Sequence, residues 1–210
     1  MANELAMAMA DLDESKVQEL VQAGLAQGLG PAALLDDCRS GMTLIGQRFE
    51  SGEYFLSDLI MAGEIFKTAA ATLAACAGGA SGPGKGRVVL GTVKGDIHDI
   101  GKDIVVTMLR GAGYEVEDLG VDVPLAKFVE RVQATGAQVV GLSGLLTISF
   151  DPMKETVAAL KAAGLATKVM IGGGPITESV RAYVGADALG RDAQEAVALC
   201  NGWITAPEVA

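Results

Sequence analysis

Apolar residues recur at helical spacing through the first third of the chain. Leu35, Cys38, Met42, Ile45 and Phe49 step by three and four. Leu56, Leu59, Gly63, Phe66, Ala70 and Leu73 repeat the step, and Val17, Leu20, Val21 and Leu25 form a third stripe. Such a period puts one apolar face on each helix. Leu5 to Met9 predicts a short first helix. Breaks fall at Gly28-Leu-Gly-Pro31 and Ser51-Gly-Glu-Tyr54, and Pro31 suits the first turn of a helix. Four short antiparallel helices then make a small bundle. Ala77 to Gly86 is Gly-rich and reads as a flexible linker.

Past the linker the period changes. Arg87 to Val93 predicts a strand and Asp103 to Gly111 a helix. Tyr114 to Leu119 and Ala137 to Leu142 predict two more strands, separated by a helix from Pro124 to about Thr135. Asp151 is placed to cap the next helix, with Pro152 at its first position. Lys168 to Ile171 is a fourth strand, Thr177 a further cap, and Asp187 to Leu189 a short fifth strand. Asp192 with Glu195 resembles a capping box. Five strand–helix units imply a parallel sheet covered on both faces. The expected domains are 1–76, a linker 77–86, and 87–210.

Composition narrows the function. The chain has 16 Lys+Arg against 26 Asp+Glu, a net charge of −10, which disfavours nucleic acid. Residues 1–80 hold 4 basic and 11 acidic side chains, so most of the excess sits in the helical part. The longest apolar stretch, Val139 to Phe150, is shorter than the roughly 18 residues of a membrane span. The start of the chain is acidic and lacks the pattern of a secretory leader. Cys38, Cys76 and Cys200 are widely spaced and odd in number, so the expectation is buried thiols in a reducing cytoplasm.

Parallel sheets bind ligands beyond the carboxyl ends of their strands. Three loops there hold the unusual residues: Lys94-Gly-Asp-Ile-His-Asp-Ile-Gly-Lys102, Ser143-Gly-Leu-Leu-Thr-Ile-Ser149 and Gly172-Gly-Gly-Pro175. His98 is the one histidine, with Asp96 two residues before it. A metal-bound imidazole usually donates its other N–H to a carboxylate. One histidine cannot build a protein metal site, so other ligands would come from a prosthetic group. A phosphate-loop reading fails: five residues separate Gly95 from Gly101, Asp103 stands where a hydroxyl is needed, and the acids would repel a triphosphate.

Asp96-Ile-His98-Asp-Ile-Gly101 resembles the Asp-x-His-x-x-Gly signature of cobalamin-binding domains. Ser143-Gly-Leu145 resembles their second motif and Gly172-Gly173 their third. Gly41-Met42, Phe49-Glu50 and Gly52-Glu-Tyr-Phe-Leu56 resemble the helical cap of corrinoid proteins in methyltransferase systems. The likeness spans nearly the whole chain and extends to the cobalamin module of methionine synthase. It implies an α/β chain with an N-terminal four-helix cap bundle and a C-terminal Rossmann-like, flavodoxin-like five-stranded parallel sheet.

The resemblance further implies a cobalamin or related corrinoid, bound base-off and histidine-on, with His98 as the axial ligand of cobalt. Asp96 would hydrogen-bond His98, and Ser149 would extend the relay. Gly95, Asp99 and Ile100 belong to the same contact loop, and Gly101 would leave room for the nucleotide tail. Ser143 and Thr147 would bond that tail, with Leu145 beside it. Gly172 and Gly173 would let it pass, and Ala193 would touch it. Met42, Phe49 and Phe55 are candidates for the apolar cap, with bundle core as the alternative. Ser57 stands where many relatives have proline and would cap the fourth helix, while Leu189 replaces a frequent aromatic. The implied role is a methyl carrier with three partners: a substrate methyltransferase, an acceptor methyltransferase using folate or thiol, and a reductive activator. Neither nucleic acid nor membrane is expected as a partner. The alternatives are a cobalamin-dependent regulator and the small subunit of a carbon-skeleton mutase.

Overall fold

The computed structural model describes residues 2–76 and 84–204. Most of the expected linker, 77–83, lies outside the described residues. Contacts divide the chain into two compact units, residues 1–84 with 111–113, and 85–110 with 114–210.

The helical unit contains α1 (Ala2–Ala10), α2 (Glu14–Ala26), α3 (Pro31–Glu50) and α4 (Leu56–Cys76). Two of the four are long rather than short, at 20 and 21 residues. Asp13 caps α2 by accepting from Lys16 N–H at 2.9 Å, and Pro31 opens α3 behind Gly30. The buried face of α3 is Leu34, Cys38, Gly41, Met42, Ile45 and Gly46. Leu35 and Phe49, expected on the stripe, are half-buried at its margin. Gly41 sits where a Cβ would come within 2.5 Å of Met9 Cβ, so glycine permits the close approach of α1 to α3. Arg48 ties the two turns of the unit together. It donates to Ala10 O, Asp11 Oδ1 and the Tyr54 hydroxyl at 2.6–2.9 Å, and Tyr54 also donates to Ala10 O.

Two expectations for α4 change. Ser57 lies inside the helix rather than at its cap. The capping contact instead runs from Phe55 N–H to Asp58 Oδ2 at 2.7 Å, the reach-back half of a capping box. Second, α4 is long and apolar enough to cross a membrane by length and composition. Asp58, Glu64 and Lys67 interrupt it, so it contains no long unbroken apolar run. Leu59, Ala62, Ile65, Phe66, Ala69 and Leu73 form its buried face in the bundle, so α4 is the unit's core helix.

The second unit is a five-stranded parallel sheet in the order β2-β1-β3-β4-β5. Its strands are β1 (Arg87–Thr92), β2 (Glu115–Asp118), β3 (Val139–Ser143), β4 (Lys168–Gly172) and β5 (Ala188–Leu189). The connecting helices are α5 (Ile100–Gly111), α6 (Leu125–Thr135), α7 (Phe150–Ala162), α8 (Glu178–Val184) and α9 (Ala193–Trp203). This is the flavodoxin-like order, whose direction reverses between β1 and β3. The core is aliphatic apart from Phe128: Val89, Val140, Leu142, Val132, Met153, Val157, Leu160, Val169 and Ile171 pack around it. Thr92 pairs with Ser143, and Ser143 with Gly172, so β1, β3 and β4 end level.

Helix starts differ from expectation in two places. α5 begins three residues before Asp103. α7 begins at Phe150, which puts Asp151 and Pro152 inside its first turn and Ser149 at the cap position. Asp151 accepts from the Tyr183 hydroxyl instead of capping. Thr177 and Asp192 do cap α8 and α9, and Glu195 reaches back to Arg191 N–H rather than to Asp192.

Cys38 and Cys200 are buried, and burial pushes both thiols up to about 12. Cys76 is exposed, contrary to the expectation of three core thiols. Titration of the native protein with an aromatic disulfide near pH ~8 should therefore release one equivalent quickly and three only in denaturant. Two or three fast thiols would contradict the burial of Cys38 and Cys200.

Candidate functional site

The site stands at the level carboxyl ends of β1, β3 and β4. Gly95, with φ +85, turns the chain after β1, and Asp96 enters the unit's interior at 1% exposure. A buried carboxylate is tolerated when hydrogen bonds replace its water. Asp96 has five donors. Oδ1 accepts from His98 N–H at 2.9 Å and faces His98 Nδ1 at 2.7 Å. Oδ2 accepts from Leu145 N–H at 2.7 Å, Leu146 N–H at 3.2 Å and Ser149 Oγ–H at 2.7 Å. Burial alone would raise its pKa. The bonds from His98, Ser149 and Leu145 outweigh burial and hold the carboxyl well below the usual range.

That charge settles the histidine tautomer. A carboxylate offers no hydrogen, so Nδ1 carries the proton and donates it to Asp96. In the neutral ring, Nε2 then keeps its lone pair. The His98 side chain is 47% exposed, and Nε2 has no hydrogen-bond partner among the described residues. The peptide is held as well: buried Thr92 donates its hydroxyl to His98 O at 2.9 Å. Asp99 occupies the cap position of α5, its carbonyl accepting from Asp103 N–H.

The other predicted residues gather on the same loops. Ser143 is half-buried at the end of β3, and Thr147 is exposed in the short 3-10 turn Thr147–Ser149. Neither hydroxyl has a hydrogen bond among the described residues, whereas Ser149 Oγ is committed to Asp96. Gly172 ends β4, and Ala193 is buried at the start of α9. Ile97, Ile100, Leu145, Leu146 and Ile148 are apolar yet 40–71% exposed. All five lie in or beside the loops after β1 and β3, where exposed apolar side chains suit contact with a ligand or partner. In the helical unit, Met42 is buried, Phe49 half-buried and Phe55 69% exposed.

The glycines differ in what they do. A Cβ on Gly173, at φ +137, would lie 1.8 Å from Gly144 O, so the protein's own backbone requires glycine there. A Cβ on Gly101 would meet nothing within 4 Å, and the residue sits in the first turn of α5 without a left-handed backbone. Nothing among the described residues demands glycine at 101.

Two site neighbours escaped the sequence reading. Lys102 is 3% exposed and bridges Asp103 at 2.5 Å and Asp118 at 2.6 Å. Burial would lower its pKa, but the two carboxylates raise it. A cation in the first turn of a helix opposes the dipole, and that was the available signal for a buried partner. Asp122, in the turn after β2, bonds Lys94 and Gly95. Among the described residues no cluster of three or more His, Cys, Asp or Glu side chains is arranged to hold a metal.

Residues 86–198 match the family described as B12 binding domain, and residues 1–74 match a second family of the same description. The chain belongs to the B12-binding corrinoid proteins. It is 37% identical over 198 residues to dimethylamine corrinoid protein 3 of Methanosarcina acetivorans, covering 93% of each chain. Among solved structures it resembles a cobalamin-binding protein of Desulfitobacterium hafniense DCB-2, with 44% identity, TM-score 0.81, and coverage of 98% of this chain and 99% of that one. It also resembles the methanol:cobalamin methyltransferase complex MtaBC of Methanosarcina barkeri, with 29% identity, TM-score 0.86, and coverage of 97% and 79%.

Asp96 should matter to the apoprotein itself. Replacing it by Asn leaves five donors facing an amide, at a cost on the order of 3 kcal/mol at neutral pH. The depressed folded pKa makes this stabilisation complete above the unfolded value and lost as pH falls through the folded one. The gap in urea midpoint between wild type and Asp96→Asn should therefore narrow below about pH 4. A gap independent of pH would show that the charge is not what the donors stabilise.

Proposed function

We propose that this protein carries a corrinoid with His98 as the lower axial ligand of cobalt, the cofactor's own base being displaced, and passes a methyl group between two methyltransferases. The observation that carries the reading is the state of one ring: Nδ1 is committed to a buried carboxylate, while Nε2 is exposed and has no partner among the described residues. One nitrogen cannot assemble a metal site, but it completes the coordination of a metal that arrives with its own macrocycle. The exposed apolar loops and the open space at Gly101 suit a large, partly apolar ligand.

A bound corrinoid supplies a cobalt centre that accepts and releases a methyl group. The chain's residues prepare for it. Asp96 orients the His98 ring and strengthens Nε2 as a donor, and Ser149 holds the far oxygen of that carboxylate. Ser143 and Thr147 offer unused hydroxyls to the displaced tail, with Leu145, Gly172 and Ala193 beside its path. Gly95, Asp99 and Ile100 belong to the loop that surrounds the histidine.

The methyl-carrier role draws on the relatives, whose names place them in dimethylamine and methanol systems. The partners are a substrate methyltransferase, an acceptor methyltransferase and a reductive activator. The acidic helical residues favour a basic partner face. Residues 77–86 serve as the Gly-rich connection between the two units. Three free thiols suit a reducing cytoplasm.

Protein enriched in nitrogen-15 histidine and reconstituted with cobalamin should show hyperfine coupling to that nitrogen in the two-valent cobalt state. Coupling to the benzimidazole nitrogen instead would overturn the axial assignment. Gly101→Leu should leave apoprotein stability equal or raised by up to ~1 kcal/mol, because glycine disfavours helix. It should nevertheless weaken corrinoid retention. Unchanged retention would remove Gly101 from the binding surface.

A further inference from the structure

We infer that Asp122 is a positioning residue that holds the His98 loop in the geometry leaving Nε2 free. Asp122 lies in the turn between β2 and α6, outside all three signature loops. Its backbone is left-handed, φ +53, a conformation Asp tolerates better than most residues. From that position it binds three consecutive residues. Oδ1 accepts from Gly95 N–H at 2.8 Å, and Oδ2 accepts from Lys94 Nζ at 2.8 Å. Its own N–H donates to Asp96 O at 2.9 Å.

Those three residues are the turn that delivers Asp96 into the interior. Within the turn one bond holds it, Asp96 N–H donating to Val93 O at 3.1 Å across Gly95, whose φ of +85 suits glycine. Further bracing comes from the β2–α6 turn. On one side of Asp122, Val123 bridges Val93 and donates to Thr92 O at 3.0 Å. Thr92 in turn holds His98 O. The β2–α6 turn thus grips the His98 loop directly at its start and reaches its far end only through Thr92.

The two carboxylate contacts are unequal. Lys94 and Asp122 are 62% and 44% exposed, so water screens their ion pair and it contributes little. The weight falls on the bond to the Gly95 amide, which fixes the Lys94–Gly95 peptide one residue before Asp96. If it is lost, the turn at Gly95 relaxes, and the 2.7 Å contact of Asp96 with His98 Nδ1 relaxes with it.

The purpose of this brace rests on the corrinoid reading, but its geometry does not, and the test separates them. His98 is the one histidine, so a two-bond proton–nitrogen correlation spectrum of the apoprotein reports a single imidazole. Loss of one charge-assisted bond should lower the ratio of Nδ1–H to Nε2–H tautomer about tenfold in Asp122→Ala. Asp122→Gly should behave the same, since it relieves the backbone but restores no acceptor. Asp122→Asn keeps both the acceptor and the left-handed backbone and should stay within about twofold of wild type, as should Lys94→Met. A wild-type tautomer ratio in folded Asp122→Ala or Asp122→Gly overturns the inference. So does failure of both to fold, which would make Asp122 a stability residue of the whole unit. In the cobalamin-loaded two-valent state, Asp122→Ala should lose histidine coupling in the same proportion. Absence of coupling already in wild type, with the tautomer shift intact, would reject the corrinoid reading and leave the positioning role standing.

Discussion

The Asp96 carboxylate is the interaction on which the rest of the site depends. It is a buried charge, and a buried charge persists only when its surroundings replace water completely. Here the replacement comes from two loops separated by about fifty residues of chain, the one after β1 and the one after β3. Neither loop satisfies the carboxylate alone. Their docking and the burial of the Asp96 charge are therefore one event. The histidine ring is itself one of the five donors, so the bond that stabilises the charge also fixes the tautomer. One carboxylate thus docks the β3 loop through Oδ2 and fixes the histidine ring through Oδ1.

Sheet topology makes that meeting possible. Parallel order 2-1-3-4-5 places β1 beside β3, and their loops leave in opposite directions at the switch between them. The register pairs Thr92 with Ser143 and Ser143 with Gly172, so the three loops start at one height. The aliphatic core below requires no polar contact, which leaves the polar groups concentrated at the rim. Asp122 extends this logic to β2. A strand with three charged residues in four and no buried position contributes the turn that steadies the histidine loop.

Much of this was legible beforehand because it is written in local spacing. Strand positions follow from short apolar runs bounded by turn residues, and Asp96, His98 and Ser149 belong to patterns of fixed separation. Other features depend on tertiary partners that a linear pattern does not record. Leu34 and Leu35 are adjacent apolar residues, and only the packing of α3 decides which one is buried. Ser57 is a good cap by residue type, but Asp58 reaches Phe55 N–H first and the helix starts earlier. Ser149 precedes α7 as a cap would, yet its hydroxyl serves Asp96, so α7 begins with no side-chain cap. Asp122 and Thr92 act through peptide groups of other segments, where their side-chain type carries little signal. Lys102 was hidden because a buried lysine looks like a solvated one until its carboxylates are found.

The glycines show why a motif match and a physical reason are different things. Gly173 and Gly101 both belong to signature patterns, and the resemblance assigns both to one ligand. Gly173 is explained without a ligand, since the Gly144 carbonyl occupies the place of a side chain. An alanine there would meet backbone, which cannot yield as a side-chain tip does. Gly101 is the opposite case: it sits in a helix, where glycine costs roughly 1 kcal/mol relative to alanine, and nothing in the chain fills the space. Gly202 in α9 has the same open space, so what sets Gly101 apart is its place beside the His98 loop. Of the two, Gly101 is the one whose identity the described residues leave unexplained, although both carry the same letter in the pattern.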